Sequence, residues 1–283
     1  MDDFSYRLGD TGVVLNPTTP TLPFCDITKI KGLDSAELRI TERDHEGVDG
    51  GFLDAYFEKM RTLTLEGQVI TNGVGTESYL DTLKSNWSPQ RASIPLYFKH
   101  PEVDERLIMV KPLGVRYDVD ELRRVGSTDV QFMCQAEDPR VYSSEEFSVD
   151  LVTSLVGSSG GAEFPMGFPM GFGAAVAPVT TNVYNGGNRP TTGIITLVGP
   201  LSNPIIYNDT TGEALAFTIT LGATDFLVID LYYRTVKLNG VSSRRGTMTR
   251  WEWFLFAPGD NTLRYQASGT PGPANVTYRY AWR

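Results

Sequence analysis

RTLTLEGQVI, Arg61–Ile70, puts Leu63, Leu65 and Val69 on one side of an extended chain and Thr62, Thr64, Glu66 and Gln68 on the other. That period of two marks a half-buried strand. TESYLDTLKSNW, Thr76–Trp87, follows at once and switches period, with Tyr79, Leu80, Leu83 and Trp87 at helical spacing and Glu77 in a first turn that favours an acid. Beyond it, Ser93–Lys99, Glu105–Val119 and Ser127–Tyr142 read as further strands, the last with Val130, Phe132, Cys134 and Ala136 on one face. Glu137-Asp138-Pro139 should break that strand, because proline cannot donate to a ladder. Phe147–Val156 alternates again. The first half is a mainly β domain, a sheet or barrel with one helix whose Tyr79 and Trp87 face packs on the sheet.

The second half carries almost no helical signal. Ile194–Val198, Ala214–Leu221, Asp225–Leu238, Trp251–Phe256, Thr262–Gln266 and Val276–Trp282 are short strands at regular spacing. Asn239-Gly240 and Pro258-Gly259-Asp260-Asn261 supply hairpin turns. This pattern predicts an antiparallel β-sandwich. Between the halves lies SSGGAEFPMGFPMGFGAAVAP, Ser158–Pro178, too rich in Gly and Pro for a helix and too apolar for a free linker. Phe164, Phe168 and Phe172 recur every four residues while Pro165 and Pro169 hold the chain extended, so these three rings are expected to pack against a domain or a neighbouring subunit. The expected organisation is residues 1–157, a connector at 158–190, and a sandwich at 191–283.

Charge divides the same way. Through Gly160 there are 27 Asp and Glu against 16 Lys and Arg, a balance of -11; from Gly161 on there are 7 against 9, a balance of +2. An acidic surface argues against tight nucleic-acid binding, which needs clustered Lys and Arg to displace counterions. Cys25 and Cys134 match no metal or redox spacing and read as two reduced, buried thiols. The first residues lack the basic and apolar regions of a signal peptide, and no run of 18 apolar residues occurs, so membrane insertion is not expected.

Chemistry-bearing patterns are sparse. His45 and His100 have no second His or Cys at ligand spacing, and Gly73-Val74-Gly75 lacks the third glycine of a dinucleotide fingerprint. No catalytic, cofactor or metal site is expected. Asp225, Asp230 and Glu252 stand beside aromatic residues as glycosidase acids do, but strand-end and solvent roles account for them as well. Asp44, Glu46 and Asp49 in RDHEGVDGG lack the twelve-residue calcium pattern and read as a solvated loop. Tyr232, Tyr233, Trp251 and Trp253 can make a sugar-stacking platform; alternation instead sends Trp251, Trp253 and Leu255 into the sandwich core, with Val276, Tyr278, Tyr280 and Trp282.

Taken in order, several stretches resemble one family. GLDSAELRITERDHEGVDGGFLDAYFEKMRTLTLEGQV (Gly32–Val69), the helix, and QAEDPRVYSSE (Gln135–Glu145) are similar to the N-terminal half of siphovirus distal tail proteins, particularly minor tail proteins of actinobacterial phages. GPLSNPIIYNDTTGEALAFTITLGATDFLVIDLYYRTVKLNG, APGDNTLRYQ and VTYRYAW resemble that family's C-terminal domain. The resemblance implies a non-enzymatic structural protein of the virion tail tip, assembled in the host cytoplasm as a hexameric ring. Its N-terminal domains would surround the DNA channel between the tail-tube protein and the tail-associated hub, with the acidic first half keeping passing DNA from sticking. Its galectin-like C-terminal sandwiches would project outward to hold receptor-binding or side-fibre proteins. The alternative is a carbohydrate-binding module for host adhesion, and Tyr232 and Tyr233 are the candidate sugar or partner contacts.

Overall fold

The computed structural model describes residues 3–34, 36–47, 49, 51–119, 126–155, 179–268 and 272–283. The chain divides into two compact units, Met1–Ser144 with Trp282–Arg283, and Glu145–Ala281. The sequence placed this boundary at 157. It falls earlier because Phe147–Asp150 pairs with Ala274–Tyr278 and Thr153–Leu155 pairs with Gly259–Ser268, so both strands complete the sheets of the second unit. The connector rings Phe164, Phe168 and Phe172 lie outside the described residues. The connector's far end, Thr181–Asn185, is a strand against Gly259–Ser268.

In the first unit the sheet runs Val14–Leu15, Ser5–Leu8, Ile94–Lys99, Arg106–Tyr117, Ser127–Ala136, Arg61–Ile70, Phe24–Lys31. Asn16 joins its two ends. Its backbone N–H donates to the Cys25 carbonyl at 2.9 Å, its side-chain amide donates to the Ile27 carbonyl at 2.9 Å, and its side-chain oxygen accepts the Ile27 N–H. These bonds curl the sheet towards closure, the barrel-like form expected. Arg61–Ile70 buries alternate residues along its whole length, and its inward face includes Arg61, 2% exposed, whose guanidinium donates to the Leu33 carbonyl at 2.8 Å.

The helix spans Thr76–Asn86 and starts after Gly75, whose φ of 77° is a left-handed conformation that favours glycine. Leu80, Leu83 and Trp87 are buried and Tyr79 packs against the same core, so the expected face is the inward one. Among the described residues no helix is long and apolar enough to cross a membrane.

Cys25 and Cys134 are fully buried free thiols in this core. Burial pushes both up to about 12 from 9.0, with Asp26 adding to the shift at Cys25. The thiolate, the reactive form, is thereby depleted about a thousandfold. Neither thiol is expected to react with a disulfide reagent in the folded chain, and both should react in denaturant. The same shifts set an alkaline limit. A proton held in the folded state but lost from the unfolded state stabilises below the unfolded value and ceases to do so as pH rises through the folded one. Tyr79 and Tyr265, also raised to about 12 by burial, add to it. Melting temperature should be flat up to pH 9 and fall steadily towards pH 12.

The second unit is a sandwich. One sheet runs Phe147–Asp150, Ala274–Tyr278, Gly193–Val198, Phe226–Asp230, Thr235–Leu238, Ser242–Ser243. The other runs Thr153–Leu155, Gly259–Ser268, Leu201–Asn208, Glu213–Phe217, Met248–Trp251, with Thr181–Asn185 and Thr220–Leu221 on its flanks. Ile195, Leu197, Leu227, Ile229 and Val276 from the first face Ile206, Leu215, Phe217, Leu263 and Tyr265 from the second across one apolar core. Asn239 and Gly240 both take positive φ and the Val241 N–H closes on the Leu238 carbonyl at 3.1 Å, the hairpin turn expected.

One aromatic assignment is reversed. Trp251 is 66% and Leu255 43% exposed, while Phe254 and Phe256 fill the core. The edge strand Met248–Trp251 ends at Trp251, with a register shift opposite Ala216 and Phe217, so period-two alternation does not carry on through residues 252–255. Val276 and Tyr278 do point inward, whereas Trp282 packs in the first unit, 4.0 Å over the Arg106 guanidinium.

Candidate functional site

Leu38–Asp44 and Gly51–Glu58 form a separate two-stranded antiparallel sheet, an arm that the sequence reading treated as an acidic loop at its tip. A strand of eight residues reaches about 26 Å. Leu38, Ile40, Phe52 and Phe57 are between 39% and 57% exposed on it. Phe57 stands opposite Arg39, and the next pair along the ribbon holds Ile40, so Phe57 and Ile40 lie on opposite faces and apolar groups occupy both. An isolated two-stranded ribbon is marginal in water at best, and one with apolar groups on both faces lacks a core of its own. Its base is fixed: the Lys59 N–H donates to the Glu37 carbonyl at 2.7 Å and the side chains pair at 3.2 Å.

Asp225 and Glu252 serve the fold. Asp225 accepts the Asn239 side-chain amide at 3.0 Å and the Gly222 N–H at 3.1 Å, bonds that hold its carboxyl below the usual range. Glu252 pairs with Arg250 at 2.6 Å and accepts the Ala214 N–H at 3.0 Å, and its carboxyl is likewise held low. A glycosidase general acid needs the opposite shift. Asp230 accepts the N–H groups of Tyr232 and Tyr233, each at 2.9 Å, and so builds the turn that presents both tyrosines.

The Tyr232 and Tyr233 rings lie 4.9 Å apart at 82°, too nearly perpendicular to form one flat platform. They are 40% and 71% exposed. Tyr233→Ala is expected to change stability by less than about 0.5 kcal/mol, whereas Asp230→Ala, which removes the acceptor for two N–H groups, should cost about 1 kcal/mol; urea melts of the two variants check the pair. His100 packs among Phe4, Tyr6 and Phe98, and burial with Arg106 nearby lowers its pKa, a structural role. Among the described residues no three His, Cys, Asp or Glu side chains are grouped to hold a metal ion.

Residues 186–282 match the family model described as siphovirus-type tail component, C-terminal domain. That match falls almost wholly within the second unit. The whole chain also has the fold of the Dit protein of phage SPP1, described as a paradigm of the hub adsorption apparatus in phages infecting Gram-positive bacteria. That match covers 100% of both chains with a TM-score of 0.66 at 16% identity. A chain in the activated baseplate of phage P2 matches over 98% of this chain and 97% of its own, with a TM-score of 0.53 at 10% identity. No curated protein sequence matches the chain. The resemblance to distal tail proteins and the β-sheet-plus-sandwich fold expected with it are borne out. What neither periodicity nor resemblance exposed is the arm, and its only sequence sign is apolar residues interleaved with charges in LRITERD and GFLDAYFE.

Proposed function

We propose that this chain is a non-enzymatic distal tail protein that assembles as a sixfold ring around the DNA channel of a phage tail tip. The first unit joins ring neighbours between the tail-tube protein and the tail-associated hub, and the second holds receptor-binding or side-fibre proteins. The observation that carries this reading is the arm, because its apolar residues on two faces need cover that a neighbouring copy would supply, alongside a fold shared over its full length with a hub protein. The excess of acid in the first half suits a channel wall, since like charge keeps a passing phosphate backbone from adhering. The connector rings Phe164, Phe168 and Phe172 would add packing between the domains or onto the next copy.

Light scattering across a concentration series tests the assembly. Six copies of the 31.3 kDa chain give about 188 kDa. A mass of one chain up to the highest concentration overturns self-assembly. DNA added to the rings should not be retained on them.

A further inference from the structure

We infer that a cleft on the second unit is a binding site for a neutral saccharide, centred on Trp253, Glu213 and Arg234. This inference is independent of the ring, since a monomer would keep the cleft. Its volume is about 280 Å³, the size of one or two sugar rings, and Pro190, Thr211, Leu231, Phe254, Leu255 and Ala257 complete its walls.

The chemistry of the lining selects the ligand. Trp253 is half-buried and seated against the core, which fixes a flat apolar surface. Glu213 supplies acceptors and Arg234 a planar set of donors, and neither side chain is engaged elsewhere among the described residues. One acid and one base nearly cancel, so the cleft has no net charge to draw an ion. A ligand with an apolar face for the indole and hydroxyls on its edge, able both to donate and to accept, satisfies all three. That is the chemistry of a sugar ring.

The walls are built rather than incidental. Three buried asparagines, each no more than 1% exposed, hold them. Asn208 accepts the N–H groups of Thr210 and Thr211 at 3.1 and 3.4 Å and donates to the Leu255 carbonyl at 3.4 Å, tying the turn before Glu213 to the segment that carries Trp253. Asn261 binds the Ala257 N–H and carbonyl, each at 2.8 Å, and Asn185 donates to the carbonyls of Arg189, at 2.8 Å, and Phe256, at 3.2 Å. The fourth wall is the Asp230 turn, where Arg234 takes a φ of 52° just after the two tyrosines. Loops fixed before a ligand arrives lose little entropy on binding it.

The test is saturation-transfer NMR on the full chain with glucose, galactose, rhamnose and N-acetylglucosamine and with disaccharides of each, followed by calorimetric titration of any that bind. At least one should bind in the millimolar range or tighter. Glu213→Gln and Arg234→Asn, the latter chosen because asparagine tolerates the left-handed backbone, should each weaken it about tenfold. Trp253→Leu, which keeps an apolar group on the core, should abolish transfer to the ring protons. Circular dichroism of the three variants should match the parent. Binding of none of these sugars overturns the inference, as does binding that all three folded variants retain. Transfer to an extended Gly-Ser-Asn peptide in place of every sugar overturns it in favour of peptide docking.

Discussion

A chain in which residues 38–58 are replaced by two glycines is expected to remain folded and to lose the ring entirely. The splice is mild, because Glu37 and Lys59 already meet through a 2.7 Å backbone hydrogen bond, and the arm's two strands pair only with each other. Among the described residues neither apolar core draws on the arm, and the splice removes with it the Glu58–Arg283 ion pair of 3.4 Å. What disappears is the apolar surface of Leu38, Ile40, Phe52 and Phe57. Burying one such side chain contributes about 1.5–3 kcal/mol, so their loss at each junction shifts assembly by several powers of ten in concentration. Light scattering should then read one chain in place of the proposed ring's six. A milder double variant, Ile40→Ser with Phe57→Ser, should shift the midpoint of assembly upward without changing the circular dichroism. A ring of unchanged mass after the deletion would falsify the arm's role and move the junction elsewhere on the first unit.

The parts of the fold that were legible are those in which one face of an element is buried and the other is not. Arg61–Ile70 is such a strand, and its observed ends coincide with the alternating stretch; the helix and the Asn239-Gly240 turn follow equally local rules. The arm exposes apolar residues on both faces, so the interleaving in LRITERD and GFLDAYFE marks no buried side, and only its tip, RDHEGVDGG, was read, as a solvated acidic loop. Trp251 and Leu255 misled for a related reason, whereas Trp253 does pack against the core as expected. Alternation held only while the chain stayed in the ladder, and past Trp251 it is the fold of residues 252–256 that turns Phe254 and Phe256 inward. The cleft was beyond sequence reading because Asn185, Asn208 and Asn261 assemble it from turns far apart in the chain. A lone asparagine beside turn-forming residues, as in Asn185-Gly186, Asn208-Asp209 and Asp260-Asn261, looks the same whether it is buried at a junction or exposed in a loop. Tyr232 and Tyr233 stand out as an aromatic pair, while Arg234 beside them reads only as a partner for Asp230.

The largest effect on stability is expected at Trp87. It closes the helix, its N–H donating to the Leu83 carbonyl at 2.9 Å, and its indole, 1% exposed, lies 4.8 Å from the ring of Phe132 in the middle of the first core. Trp87→Ala leaves a cavity there and should cost about 3–5 kcal/mol. That is a large part of the whole stability of a typical domain, about 5–15 kcal/mol. The fully buried Phe256 occupies the corresponding place in the sandwich, and its N–H and carbonyl pair with Thr191. Phe256→Ala should cost about as much by the same mechanism. The two cores share no residue, so calorimetry should show each substitution lowering a different transition, by about 10 °C or more for a unit of this size. If both substitutions lowered a single common transition, the cores would be melting as one, and a fault in either unit would then remove ring and cleft together.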